Sequence, residues 1–269
     1  MAEQETWQLE GNAAQVYEEQ KVPSLFRPLA ELTLQHVDVH EGDRVIDLAC
    51  GTGILGRLAA EKAGRSGSVV GVDLNAGMIE EAKRHPPTSG AGLDLHQGDV
   101  TALDYPDASF DIAFCQQGLQ FFPNKLAALK EIRRVLTPDG TAALTVWSSL
   151  PPWGIAIADG LTRYVSADVA QRSLGPFSFR DPEVIRGLLA DAGFSEIQME
   201  ILEVKRSIGP AEVSIPEDMA STAYAADVAK LDIATRAAMV KEIGEALGKY
   251  RVDGGLAVPQ ETLLIRAAA

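Results

Sequence analysis

Cysteine is scarce in this chain: Cys50 and Cys115 are the only two among 269 residues, and they form no CxxC pair. Two cysteines make a poor disulfide framework, whereas a 46% hydrophobic content over this length supplies one substantial core. Positive charge is also short, with 24 Lys and Arg against 38 Asp and Glu, a formal charge of -14 and a pI near 4.7. No basic run offsets it. General binding to nucleic acid or anionic membrane, which Lys/Arg patches carry, is therefore not expected. No apolar stretch has the length of a membrane span, and there is no internal repeat or low-complexity tract. The opening "MAEQETWQLEGN" is acidic and polar, unlike a signal peptide. These deficits lead to the expectation of a soluble cytoplasmic protein with no nucleic-acid partner and no membrane insertion; separately, a small-molecule substrate, a monomer or homodimer and no metal are expected.

Short apolar runs alternate with helical stretches through the first half. Ala13 to Val39 reads as largely helical with a break at "VPSLFRP", where Pro23 and Pro28 punctuate it. Strands are expected at Arg44–Leu48, Ser68–Val72, Leu93–His96, Asp111–Cys115 and Thr141–Trp147, and further ones at Ile197–Val204 and "ETLLIRAA". Helices fall between them, including Lys125–Leu136, stopping at "TPDG". A further helix starts at Asp181-Pro182 and ends at Gly193. The pattern predicts an α/β fold, a Rossmann-like, seven-stranded, mostly parallel sheet with helices on both faces. One domain, 1–269, is expected: a helical lid over 1–40, a core over 41–148, and a C-terminal half over 149–269. Helical insertions at about 150–175 and 210–250 would cap the edge where such sheets bind ligands.

"VIDLACGTGILG", Val45 to Gly56, carries the chemistry. Gly51, Gly53 and Gly56 satisfy GxGxxG between a strand and a helix, and Asp73 ends the next strand, about 20 residues on, where an acid holds ribose hydroxyls. Asp47 does not suit a dinucleotide. A carboxylate at the mouth of the first strand would face a pyrophosphate and repel it. It suits a ligand with an ammonium or sulfonium at that point and no phosphate, and S-adenosyl-L-methionine is such a ligand.

The chain also resembles the class I S-adenosylmethionine-dependent methyltransferases, in particular the small-molecule branch that includes the ubiquinone/menaquinone-biosynthesis C-methyltransferases. The resemblance lies in "VIDLACGTG", "VVGVDLNAGMIEEAK", "GDVTALDYPDASFDIAFCQQGLQFF" and "ALKEIRRVLTPDGTAALTVW", covering roughly residues 40 to 148. It implies a cofactor-binding core in which Asp47, Ala49 and Gly51 line the methionine end and Gly53 keeps the turn open. Asp73 would take both ribose hydroxyls and Leu74 would lie on the adenine. Asp99 would accept from the adenine amino group beside the Val100 backbone. Cys115 and Gln116 would flank the methionyl chain, Cys115 as a small buried residue rather than a nucleophile.

A methyl group on a sulfonium is already activated, so the protein's work is in-line alignment and exclusion of water. An amine, an acidic phenol or an enol needs no general base, whereas a carbon or alcohol acceptor usually does. None of the four histidines has a claim to that role, and the catalytic residue stays unassigned, with Tyr17, Gln117 and Gln120 as candidates above the cofactor. Phe121, Trp147, Trp153, Tyr164 and Phe179 are expected in an apolar or aromatic acceptor pocket. Arg180 is a weaker partner for an acceptor carboxylate. Two rival classes keep the glycine motif: an NAD-dependent oxidoreductase and a non-catalytic S-adenosylmethionine-binding protein. A macromolecular methyltransferase is disfavoured by the acidic surface and by "CQQG" at the end of the fourth strand.

Overall fold

Val45 to Gly56 folds as a strand, a turn and a helix, and the sheet is laid down on either side of that unit. The computed structural model describes residues 12–269, so the first eleven residues of the expected 1–40 lid lie outside the described residues. The strands are β1 (Arg44–Leu48), β2 (Ser68–Asp73), β3 (Leu93–Gln97), β4 (Phe110–Gln116), β5 (Leu136–Trp147), β6 (Ser195–Ile208), β7 (Arg251–Val252) and β8 (Gly255–Ala268). Their order is β3-β2-β1-β4-β5-β8-β6, with β7 added to β8. Pairs from β3 to β5 are parallel, and β8 runs antiparallel to both of its long neighbours. Chain order reverses between β1 and β4, the switch point at which open α/β sheets hold ligands.

Alternate residues of the strands feed opposite faces. Ile46 and Leu48 pack with the helices Lys125–Val135 and Pro182–Ala192. Val45, Ile112 and Phe114 pack with the helices Arg27–His36 and Ile54–Ala63. Asp181 caps the helix Pro182–Ala192 by accepting from the Glu183 and Val184 amides, and Gly193 ends it at φ 94°, a left-handed turn that a glycine enters at little cost.

Three local expectations are revised. The sheet has an eighth strand: β7 and β8 pair across Asp253-Gly254, so Asp-Gly makes a two-residue hairpin. β5 starts at Leu136 rather than Thr141, because Leu136 pairs with Phe110 before "TPDG" bulges out and the ladder resumes at Ile112 and Thr141. The prolines do not break the N-terminal helix. Ala13 to His36 is helical throughout, with a π-helical stretch at Tyr17–Phe26 that contains Pro23. In an α-helix the Pro23 ring would meet the carbonyl four residues back; one more residue per turn relieves it, and the Arg27 amide duly donates five residues back, to Val22.

β6 and β8 outrun the rest of the sheet. The last β5 pair is Trp147 with Thr262, but β8 continues to pair with β6 as far as Leu256 and Ile208. This two-stranded ribbon rises past the ligand edge and carries a second apolar core. Leu256 and Val258 there pack against Trp153 and Leu161 of the helix Pro152–Tyr164, Ile215 of Ala211–Ala220, and Met239 and Ile243 of Ile233–Ala246. Among the described residues no helix is long and apolar enough to cross a membrane.

Candidate active site

A cavity of about 570 Å³ opens at the carboxyl ends of β1 and β4. Two non-glycine residues with positive φ sit there, Ala49 (51°) after β1 and Gln117 (57°) after β4. Such strain collects where a backbone is held to a functional shape. Gly118 is fixed by the same crowding, since a Cβ on it would come within 2.6 Å of the Ala49 Cβ and 2.7 Å of the Cys115 sulfur. Gly51 and Gly53 take φ values of 57° and 84°.

The three glycine amides of this turn are already committed inside the protein. Gly51 donates to Asp73 Oδ2 (2.8 Å), Gly53 to the Cys50 carbonyl (2.9 Å) and Gly56 to Asp47 Oδ2 (2.9 Å). A pyrophosphate would find these donors taken and two carboxylates in its place. Asp73 Oδ1 accepts from the Asn75 amide (2.8 Å), so Asp73 braces the turn with both oxygens, each of which can accept a further bond, and it lines the cavity. Burial raises its pKa against those two bonds. Asp47 is 1% exposed and does not reach the main cavity; with Tyr17, Ala49, Gly51 and Gln116 it bounds an adjoining cleft of about 30 Å³, roomy enough for one water. Burial, helped by the Asp73 charge and opposed by the Gly56 amide and Arg57, pushes the Asp47 pKa up to about 7.

Leu74, Asp99 and Val100 line one end of the cavity, joined by Met78. Asp99 Oδ1 accepts from both the amide and the hydroxyl of Thr101 at 2.8 Å. Gln116, Gln117 and Gln120 line the middle. Gln117 is locked into a relay, with Gln120 Nε2 donating to its Oε1 (3.1 Å) while its own Nε2 donates to the Thr262 hydroxyl (2.8 Å). Gln116 Nε2 donates to the Phe26 carbonyl, and its buried Oε1 has no partner among the described residues. Tyr17 lies over Gly51 and stacks on Phe26 at 5.1 Å, closer than a straight α-helix, rising about 13 Å over nine residues, would bring them. Burial, with the charges of Asp73, Glu18 and Asp47, pushes the Tyr17 phenol well above its ordinary pKa, so it stays protonated.

Phe121, Trp147 and Trp153 also line the cavity. Four other expected site residues do not touch the cavity. Gly53 is behind the turn at the start of the helix Ile54–Ala63. Cys115 is sealed in the sheet core, where burial pushes its thiol up to about 12. The Tyr164 hydroxyl turns outward to Glu242 (3.0 Å), and Phe179 lies beneath the Lys125 ammonium, 4.7 Å from it. Arg180 donates to the Phe177 carbonyl rather than facing the cavity. The cations that do face it are Lys21 and Arg206, with Asp218, Tyr224 and Gln260 beside them. Sequence reasoning missed all five. The available signal was alternation: buried Leu202, Val204 and Arg206 on β6, and buried Leu256, Val258, Gln260 and Thr262 on β8, put polar side chains at core-facing positions. None of the four histidines lines the cavity.

Three carboxylates, Asp47, Asp73 and Asp99, with the Gly51, Gly53 and Gly56 amides already given to internal acceptors, fit a cationic nucleoside such as S-adenosylmethionine. Comparison with known proteins agrees. Residues 45–140 match the family model described as a methyltransferase domain. A ubiquinone/menaquinone biosynthesis C-methyltransferase of Xanthomonas campestris pv. campestris is 41% identical over 42% of this chain and 45% of its own length. The corresponding protein of Xanthomonas oryzae pv. oryzae is 34% identical over 61% of this chain and 70% of its own. In fold, the chain is similar to Haemonchus contortus phosphoethanolamine N-methyltransferase 2, at 18% identity and a TM-score of 0.58, covering 95% of this chain and 56% of that one. The chain belongs to the class I S-adenosylmethionine-dependent methyltransferases, in the small-molecule branch that includes the ubiquinone/menaquinone biosynthesis C-methyltransferases.

Proposed function

We propose that the chain methylates a small, largely apolar or aromatic molecule held between Phe121, Trp147 and Trp153, by direct in-line displacement. The observation that carries the cofactor half is the commitment of the Gly51, Gly53 and Gly56 amides to internal acceptors, which leaves carboxylates facing the ligand. When bound, S-adenosylmethionine supplies a methyl group already activated by its sulfonium. Asp73 receives the ribose hydroxyls on its remaining lone pairs, and Leu74, Met78 and Val100 enclose the adenine. The second oxygen of Asp99 accepts from the adenine amino group. Asp47 balances the methionyl ammonium across its cleft, through a water. The protein's own contribution is alignment and dryness.

Tyr17, as a neutral phenol, orients by donating a hydrogen bond and does not take a proton. Gln117 and Gln120 hold the floor rigid. The N-terminal helix forms a lid over the glycine turn, tied down by a buried Arg57–Glu18 bond of 2.7 Å, and the ribbon-borne helices cover the acceptor. Calorimetric titration with S-adenosylmethionine, S-adenosylhomocysteine and NAD tests this. The first two should bind in the micromolar range and NAD far more weakly; tighter binding of NAD would end the methyltransferase reading.

A further inference from the structure

The acceptor end of the cavity carries a positive charge that the described side chains leave incompletely matched. Arg206 on β6 and Gln260 on β8 lie on one face of the ribbon, because Val204 pairs with Gln260 and Arg206 with Val258. That makes them diagonal neighbours, within reach of one ligand group. Arg206 is 7% exposed, donates from one terminal nitrogen to Asp218 Oδ1 (2.9 Å), and lies over the Trp153 ring at 5.0 Å. Among the described residues its buried Nε has no partner. Gln260 is 2% exposed, and neither its amide nitrogen nor its amide oxygen has a partner among the described residues. The Lys21 ammonium stands 3.9 Å from the same Asp218 oxygen and donates to the Ser221 carbonyl. Two cations, Arg206 buried and Lys21 partly buried, thus share one carboxylate at the wall of a cavity that Trp147, Trp153 and Phe177 also line. An unmatched buried charge is costly, and an unsatisfied amide beside it adds to the demand for a ligand.

We propose that Arg206 and Gln260, with Lys21 behind them, form an anion-binding subsite, and that the methyl acceptor is an apolar or aromatic molecule carrying an anionic oxygen. A carboxylate, an acidic phenolate and an enolate share that chemistry. A bound phenolate or enolate would reach the site already deprotonated, consistent with a cavity that no histidine lines. Recognition then divides by sign: carboxylates for the cationic cofactor, cations for the acidic acceptor.

The proposal rests on the methyltransferase reading above, and binding of S-adenosylhomocysteine, titrated first, tests that reading alone. The subsite is tested on the wild-type protein with matched probes, with and without S-adenosylhomocysteine: 2-naphthoate against 2-naphthamide for the carboxylate, and ionised 4-nitrophenol against nitrobenzene for the phenolate. At least one anion should bind ~10-fold or more tightly than its neutral partner, the value of a charge-assisted pair. Arg206→Gln should erase that preference while leaving S-adenosylhomocysteine affinity unchanged, and Arg206→Lys should keep part of it. Anions that bind no better than neutral probes in both arms, or that fail to bind at all, overturn the proposal. So does a preference that survives Arg206→Gln.

Discussion

The two ends of the cavity are built by different means. At the cofactor end the backbone does the shaping: residues with positive φ at Ala49, Gly51 and Gly53, and turn amides closed by Asp47 and Asp73. All of these groups lie within 27 residues of one another, from Asp47 to Asp73. At the proposed acceptor end side chains do it, brought from the N-terminal helix (Lys21), a cap helix (Asp218) and two strands of the ribbon (Arg206, Gln260). A site made of backbone geometry keeps its shape while its surroundings vary. A site made of side chains on separate elements can be rewritten by a few substitutions. That contrast suits a family with one cofactor and many acceptors.

The contrast is broken hardest at Asp218, among the described residues the only carboxylate that both Lys21 and Arg206 contact. Its carboxyl is held below the ordinary range by Lys21 and Arg206 against its burial. Asp218→Ala leaves the buried Arg206 and the partly buried Lys21 without this counter-charge, and should cost about 3–5 kcal/mol. Denaturant unfolding measures the total, and hydrogen exchange should show the loss concentrated in residues 211–250, with β1 to β5 little changed. A uniform loss would mean that the cap and the sheet are one cooperative unit.

The lid comes next. With S-adenosylhomocysteine at a hundredfold excess over its Kd, linkage supplies about 2.7 kcal/mol, up to ~100-fold in protection for segments that open only in the free protein. Residues 13–30 and 150–175 should gain most of it. If protection there does not rise, these segments are fixed scaffold, and the Arg57–Glu18 and Lys21–Asp218 contacts are the reason. Asp73→Asn should weaken S-adenosylhomocysteine binding by ~10- to 100-fold through lost charge-assisted bonds, while Asp191→Asn, on the surface helix Pro182–Ala192, should change neither binding nor stability. Equal affinity in Asp73→Asn and the wild type would leave Asp73 as a turn brace alone.

What could be read from the sequence follows the same division. The strand–turn–helix unit, the parallel order and the acids at strand ends were legible because each follows from local chemistry: glycine at a positive φ, an acid at a fixed offset, apolar runs of strand length. The acceptor wall was not. Arg206 and Gln260 become neighbours only through the register of an antiparallel pair, and aromatic identity does not say which way a ring points, so Tyr164 and Phe179 were expected in a cavity they do not touch. Pro23 misled for a different reason. Proline forbids the α-helical bond pattern, not helical continuation, and the π-helical stretch preserved the helix that the break would have ended.

The smallest effect sharpens the comparison at its most buried acid. Asp47, with its pKa raised to about 7 by burial, is largely protonated in mildly acidic solution when no cation is nearby. An ammonium placed across the cleft favours the ionised carboxylate, so binding must release that proton wherever the free protein holds it. Affinity for S-adenosylhomocysteine should therefore fall as pH falls through 7, by up to about tenfold between pH 8 and pH 6. Titrations in buffers of different ionisation enthalpy should detect proton release growing over the same interval. Asp47→Asn should bind more weakly at pH 8 and lose most of the slope, because the asparagine keeps the size and a hydrogen-bond acceptor for Gly56 but has nothing to titrate. A slope that persists unchanged in Asp47→Asn would assign the proton to another group, Asp73 first, whose pKa burial also raises, and would leave Asp47 as the clasp on the Gly56 amide.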